Sequence, residues 1–574
     1  MTAADCVIYF HAQDTRIAAL ASPYPLWITP AMTPPPSSVA SALPRLHGLT
    51  VGDSTDASRV ARLLPAGARD LLVNVHRAFA SERRGLLEAR LRRQDAWDSG
   101  ELPERPADAP VEATGDWRVA ALPEDLMRRR VEITGPANDP KMVINMLSRG
   151  ADGQMSDAAM LDFEDSMKPT WENVLAGFEN LTLAVRGELT VERPGKTYRI
   201  NPDDMPLLMV RVRGLHMEEA NILVDGAPIA AGLFDLVLAA YHTAKELVAQ
   251  GKTPKIYVPK CEHFKEARWW NRLFDHVEAE MGLPIGTIRT TFLIETLPAA
   301  LQVEEILYEL RSRAAGLNVG RWDKIFSDIK VLAKHPDRVL ADRGTIGMDR
   351  PWMGAYARRL IHVCHRHGAF AMGGMAAFTP GSDAATRDAQ TRKVVEDKRL
   401  EAAMGHDGCW VSHPYFIGPA LSAFESDHQL EVLPVSPADV ELLPRSTGPR
   451  TLGGLRKNAA VTIAYLKGWS EGKGCVAWDG LMEDLATLEI SRAQTWQWLR
   501  HRVRLDDGAT VTPSLVRRVL DQELLSIAKK VRDQMPEQPE QPVRDQIRRF
   551  ALARRRAEAL FLERNFRPFL TTGR

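Results

Sequence analysis

Two short β-rich runs, TTFLIE at 290–295 and AGLNVGRWD at 315–323, each close on a lone carboxylate, Glu295 and Asp323, with one helical stretch between them. If the runs are consecutive parallel strands, both carboxylates stand at strand carboxyl ends, the edge where βα-barrels carry their chemistry. Two hard oxygen ligands are too few for a closed cage, which suits Mg2+ that keeps some water and is completed by an oxygen-rich substrate. The spacing alone also admits ordinary loop or helix-cap acids. His362, His365 and His367 in RRLIHVCHRHGAF are the competing metal candidates. They fall at the end of a helical pattern just before Gly368, where histidines complement the helix dipole and cap carbonyls.

Arg211 and Arg213 alternate in MVRVRG and so share one face of a strand. A guanidinium keeps its charge and donates in a fixed fork, so one of them can hold a substrate oxygen, while a pair of structural ion bridges fits equally well. Glu164 and Asp165 in DFED, and Glu483 and Asp484 in LMED, precede helical patterns and are readable either as caps or as working acids. Lys260 follows the run KIYVP. The basic run RRFALARRRAEALFLERNF has apolar residues at helical spacing with Glu558 and Glu563 interleaved, so it reads as a solvated amphipathic helix and not as an RNA surface.

Positioning these side chains falls to eight apolar runs between about 130 and 415: RVEITGP, AMLDFED, LLMVRVRG, KIYVPKCE, TTFLIET, AGLNVGRWD, FAMGGMAA and GCWVSHP. Most are separated by helical patterns, which implies parallel βαβ units, and eight of them imply a closed (β/α)8 barrel over 121–415. An open doubly wound sheet would want a Gly-rich first turn, and no GxGxxG follows a strand. Pro298 predicts the first turn of a helix running to about Arg313. Residues 51–120 read as an N-terminal helical segment and linker, 416–574 as an all-helical region, and the Pro- and Ser-rich residues 1–50 as a loosely ordered extension. PEQPEQP at 536–542 reads as a turn between the last two helices.

Lys plus Arg total 74 and Asp plus Glu total 74, so no global field draws in nucleic acid or a membrane, and an anionic ligand must be met by local cations. The five cysteines form no CxxC pair, in line with scattered thiols in a reducing compartment. The start MTAADCVIYF lacks a signal-peptide pattern, no run approaches a membrane span, and the ending FLTTGR is not an SKL signal; the expectation is a cytoplasmic protein, monomeric or a small homo-oligomer.

Taken together, RRVEITGP, LDFEDSMKPTWEN, VRVRGLH, FLIETLPAALQVEEILYELR, AGLNVGRWDKIFS, FAMGGMAAFTP, GHDGCWVSHP, LMEDLATLEISRAQTWQWL and VRLDDG resemble, in order, the blocks of the A-type malate synthases of the glyoxylate bypass. The resemblance spreads over most of 66–570. It implies a TIM barrel with an N-terminal helical clasp and a C-terminal helical plug, condensing acetyl-CoA with glyoxylate and water to give malate and CoA. It further implies Mg2+ on Glu295 and Asp323, Arg211 on the glyoxylate aldehyde oxygen, and Asp484 as the base. The backbone around Gly320, Arg321 and Trp322 would bind the glyoxylate carboxylate, with Glu164, Asp165 and Lys260 behind the metal. Two other expectations stay in play: a related acyl-CoA lyase or condensing enzyme for another short 2-oxo acid, which also uses a barrel, Mg2+ and a CoA thioester, and an inactive CoA-binding homologue, suggested by departures from the family at Ser312, Arg313 and Lys324.

Overall fold

Continuous apolar runs, as opposed to alternating ones, mark strands covered on both faces, by helices outside and by side chains inside. The computed structural model, which describes residues 48–572 save Ala438, shows eight such strands. They are β1 (Val131–Pro136), β2 (Ala158–Asp162), β3 (Leu207–Arg211), β4 (Lys255–Val258), β5 (Arg289–Ile294), β6 (Ala314–Val319), β7 (Phe370–Ala376) and β8 (Gly408–Val411). Each pairs in parallel with its sequence neighbours, and β8 closes on β1 with Cys409 opposite Val131. All eight carboxyl ends therefore share one rim, and the eight runs read from the sequence are these eight strands. Met160, Met209, Tyr257, Leu293, Ala315 and Trp410 fill the interior.

The long helix α1 (Ala66–Asp98) lies along the barrel and ties down the rim. Its Arg83 donates to the carbonyls of Leu215 and Met217, and its Arg90 to that of Lys260 at 2.8 Å and to Glu266. After β6 the chain turns directly into α2 (Arg321–Val331), with Gly320 at its N-cap. Beyond the barrel, α3 (Leu452–Ser470), α4 (Leu485–Arg500), α5 (Pro513–Gln534) and α6 (Glu540–Phe561) bury a separate apolar core including Ile463, Leu466, Leu488, Trp498 and Leu520. Only the first four residues of PEQPEQP, 536–539, form the turn; Glu540, Gln541 and Pro542 already belong to α6. The segment after α6 returns to the barrel: Phe569 stacks on His216 at 4.2 Å and Leu570 N donates to Glu489 on α4 at 2.6 Å.

Two expectations change, and one ribbon is added to them. The region after 416 is not all-helical, because Val476–Trp478 and Leu481–Glu483 form an antiparallel hairpin. Its two-residue turn is Asp479–Gly480, with φ +48° and +78°, the left-handed pair that a type I′ turn requires. A second Asp-Gly turn, Asp225–Gly226, joins Glu218–Val224 to Ala227–Ala230, a ribbon that also recruits Leu49–Val51. Lastly, the helix expected from Pro298 to about Arg313 is two pieces, Leu297–Ala300 and Val303–Glu309. Gln302 breaks it, its amide donating back to Pro298 O at 3.0 Å and accepting from Phe264 N at 3.2 Å. Residues 1–47, most of the expected N-terminal extension, lie outside the described residues. No described helix is long and apolar enough to cross a membrane.

Candidate active site

The rim gathers acids that the chain supplies one strand end at a time. Asp162 closes β2, Glu164 and Asp165 follow it, and Arg211 closes β3. Asp162 and Arg211 are partners in the parallel register, and Arg211 donates Nε and Nη2 to the two Asp162 oxygens at 2.7 and 2.6 Å. That bidentate grip leaves Nη1 facing Glu164 and Asp165 at 3.8 and 3.7 Å, over the Trp410 ring. Asp162 also accepts from Glu164 N and Ser166 N, so it orients the whole turn. Arg213, by contrast, is held by Asp235 and Glu219 and is structural.

Lys260 occupies the centre. Its backbone is left-handed, φ +55°, which costs a non-Gly residue on the order of 1 kcal/mol or more. That conformation sends Lys260 N to Glu295 Oε1 at 2.8 Å while Nζ meets Glu164 at 2.7 Å, Asp165 at 2.8 Å and Asp323 at 3.2 Å. Glu295 lies just past the end of β5, and Asp323 sits in the first turn of α2, not at the strand end itself. Gly320 is needed between them: a Cβ there would stand 2.6 Å from Glu295 Oε2. Its N–H, expected to face an anion, donates instead to the Tyr356 hydroxyl at 3.1 Å, and that hydroxyl donates to Ile294 O. The start of α2 has no side-chain cap, so the first-turn N–H groups of Arg321, Trp322 and Asp323 remain for an anion.

Asp484 reaches the rim from the far end of the sequence. The 476–483 hairpin is stitched to the loop after β7 by Met482 N to Ala377 O (2.7 Å) and Thr379 N to Gly480 O (2.9 Å), with Phe378 bridged to Leu481. Leu485 N then donates to Asp165 O at 3.3 Å. Asp484 is the N-cap of α4, accepting from Thr487 N at 3.3 Å, and it lines the same small cavity, about 70 Å3, as Arg211, Glu295, Trp322 and Asp323. The cap, one of the two readings open in the sequence, is present, and it leaves the Asp484 carboxylate on the cavity wall. A larger cavity of about 510 Å3 opens in the seam next to it, between Asn138 and Ser166 of the barrel and Lys467, Gly474 and Met482 of the helical region.

The charge balance is uneven. Asp162, Glu164, Asp165, Glu295, Asp323 and Asp484 are set against Arg211 and Lys260. Burial first, then neighbouring acids, raises the carboxyls of Glu164 and Asp323 well above the usual range and that of Glu295 above it. The same causes push Asp484 up to about 7. Asp165 goes the other way: burial raises it, but Lys260 and Arg211 outweigh burial and hold it low. Glu164 Oε2 and Asp323 Oδ1 are buried and accept no well-formed hydrogen bond, each meeting only an ion-pair contact, to Arg211 Nη1 at 3.8 Å and to Lys260 Nζ at 3.2 Å. Excess buried negative charge, under-satisfied oxygen acceptors and an all-oxygen donor set fit a hard divalent cation on Glu295 and Asp323.

Other sequence candidates resolve elsewhere. His362 and His365 bond the carbonyls of Pro434 and Val432, His365 also pairs with Asp407, and His367 bridges Trp117 O and Glu304, so the three share no centre. Lys324 is fully buried against Asp328 one turn along α2, and Arg313 pairs with Asp275 and Glu278 at the opposite end of the barrel. Ser312 bonds Asn271, so none of the three departures pairs with an acid of the rim. Asp162 and Tyr356 went unremarked in the sequence as site residues. A strand-terminal Asp registered beside Arg211 was the available signal for the first; nothing local signalled the second.

Residues 207–439 match the family model described as malate synthase, TIM barrel domain, residues 449–573 the malate synthase C-terminal model, and 56–106 the N-terminal domain model. Malate synthase A of Escherichia coli is 43% identical over 82% of this chain and 89% of its own. Malate synthase of Myxococcus xanthus is 46% identical over 82% and 87%, and the glyoxysomal malate synthase of Zea mays 43% over 82% and 86%.

Proposed function

The chain belongs to the malate synthase family, and we propose on that premise that its rim site condenses the acetyl group of acetyl-CoA with glyoxylate and, with water, releases malate and CoA. The observation that carries this reading is the delivery of Asp484 onto the cavity that Glu295, Asp323 and Arg211 already line. Deprotonating a thioester methyl group needs a positioned carboxylate, and one pushed up to about 7 is both ionised in part at neutral pH and basic enough to take the proton. Arg211, locked by Asp162, offers its remaining Nη1 to the aldehyde oxygen of glyoxylate, on which charge develops as the new carbon–carbon bond forms. Glu295 and Asp323 would hold Mg2+, which would supply a Lewis acid for the glyoxylate aldehyde.

The first-turn N–H groups of α2 hold the glyoxylate carboxylate, and Lys260 keeps Glu164, Asp165 and Asp323 in one place. The arm of acetyl-CoA lies in the 510 Å3 seam cavity, a size within the ordinary range for such ligands. In this division of labour 51–120 clasps the barrel 121–415, and 416–574 brings the base. Four free cysteines among the described residues accord with a reducing, cytoplasmic setting, in which the enzyme acts as a monomer or small homo-oligomer.

The test is thiol release from acetyl-CoA with Mg2+ across a panel of short 2-oxo acids. Release with glyoxylate alone supports the reading. Cleavage of malyl-CoA to acetyl-CoA and glyoxylate with no net thiol release would make the protein a lyase.

A further inference from the structure

Buried arginines in this molecule are engaged. Arg129, Arg211, Arg213 and Arg313 each pair with at least one carboxylate. Arg343 is the exception: it is 2% exposed, and none of its Nε, Nη1 and Nη2 atoms has a hydrogen-bond partner. A guanidinium carries five donors, and leaving all of them unmet in a dry site is among the more costly arrangements a protein can hold. Such a group calls for an acceptor that arrives from outside the fold.

Its surroundings say where that acceptor must be. Arg343 lies on the loop after α2, in the seam: the neighbouring Asp342 N donates to Pro449 O at 2.9 Å, and the Asp342 carboxylate holds Thr451 at the start of α3. The guanidinium sits 5.3 Å from the centre of the Trp322 ring, which Arg321 also approaches at 4.4 Å. Arg321 spends an N–H on Ile346 O and faces Asp397 and Glu401; Arg343 faces Glu483 and Asp484 without reaching either. Trp322 and Asp484 are both walls of the reaction cavity. Arg343 therefore stands behind the Trp322 wall of that cavity, with Glu483 and Asp484 as the acids that face it.

We propose that Arg343 binds the acyl oxygen of the thioester and the carboxylate that hydrolysis makes from it, so that it recognises the carboxylate of malate remote from the metal. The proposal rests on the function given above. If Asp484 takes a proton from the methyl carbon, the acyl carbon is one covalent bond away, and a donor beside the base is placed for that acyl oxygen. In the hydrolytic step a water oxygen bonds to the acyl carbon and the C–S bond breaks, its electron pair leaving on sulfur. The sulfur takes one of the water protons to become the CoA thiol, and the second proton passes to solvent as the new carboxylate ionises. Negative charge on the acyl oxygen rises through this sequence and ends as a full carboxylate, the acceptor that suits a guanidinium fork.

The test is equilibrium binding, by calorimetry with Mg2+ present, of malate and of glycolate, which keeps the 2-hydroxy carboxylate and lacks the remote one. In Arg343→Met, malate affinity is expected to fall roughly 10- to 100-fold while glycolate stays within about twofold. Should that variant not fold, Arg343→Lys, a point charge in place of the fork, is expected to lose malate affinity several-fold with glycolate again retained. An unchanged malate affinity, or an equal loss for both ligands, overturns the proposal. Thiol release by the unmodified protein, measured alongside, reports on the proposed function separately, so the two can fail independently.

Discussion

Two of the barrel's buried ionic clusters, one in its interior and one on its rim, are built on opposite plans. Inside, Arg129 donates to Glu132 at 2.7 Å and to the Tyr257 hydroxyl at 2.6 Å, and Tyr257 and Trp410 donate to the second Glu132 oxygen at 2.6 and 2.9 Å. One cation meets one anion and both carboxylate oxygens are used. On the rim, six acids share Arg211 and Lys260, two buried acceptors lack a well-formed hydrogen bond, and Lys260 holds a left-handed backbone. The first cluster is complete without help. The second is left for a cation and two substrates to finish, which is how a site keeps binding energy for its ligands and not for its own fold.

The sharpest way to break the contrast is to cut the rim where chemistry and binding part company. Asp484→Asn should lower kcat about 10²- to 10⁴-fold while Mg2+-dependent glyoxylate binding, followed by calorimetry, persists; Asp323→Ala should instead lose that binding. Equal damage to both functions in both variants would mean the site is not divided. In the interior cluster the effect should fall on folding: Glu132→Ala strands Arg129 and should cost about 3–5 kcal/mol in denaturant unfolding, with KM unchanged in the protein that remains folded.

A milder probe is pH. Glu164, Glu295, Asp323 and Asp484 have folded pKa values above the unfolded value of about 4, so the folded state binds more protons across the interval. The stability they contribute is complete below about pH 4 and is lost as pH rises through their folded values, about 7 for Asp484. Asp165 opposes this alone. Mg2+ should consequently raise Tm by several degrees more at pH 8 than at pH 5, and a shift that is the same at both would contradict the charge imbalance. Turnover should fall as pH drops through about 7, where Asp484 takes a proton. The smallest effect belongs to Lys324→Met: the residue is spent on Asp328, so kcat/KM should stay within about twofold, and a large loss would place it in the rim after all.

How much of this was legible in the sequence divides along the same line. The eight strands were, since a strand buried on both faces writes itself as an apolar run regardless of its neighbours. The place of Glu295 and Asp323 on the rim was, because each follows shortly on such a run. The rim's finer order was not: that Arg211 is aimed by Asp162, or that Lys260 N and Nζ join Glu295 to three other acids, depends on strands about fifty residues apart lying in register. The Asp479–Gly480 turn was a missed local signal, hidden because helical patterns surround it. Gln302 broke a helix through contacts with Phe264 that no local propensity carries.

The hairpin's stitching to the loop after β7 also sets a time order. A ribosome emits all eight strands, both metal-side carboxylates and Arg211 long before residue 484 appears. Until Met482 and Gly480 find Ala377 and Thr379, a nascent barrel holds its rim acids, Arg211 and Lys260 but lacks the Asp484 carboxylate that closes the cavity beside them. Docking of the hairpin is thus the step that completes the rim.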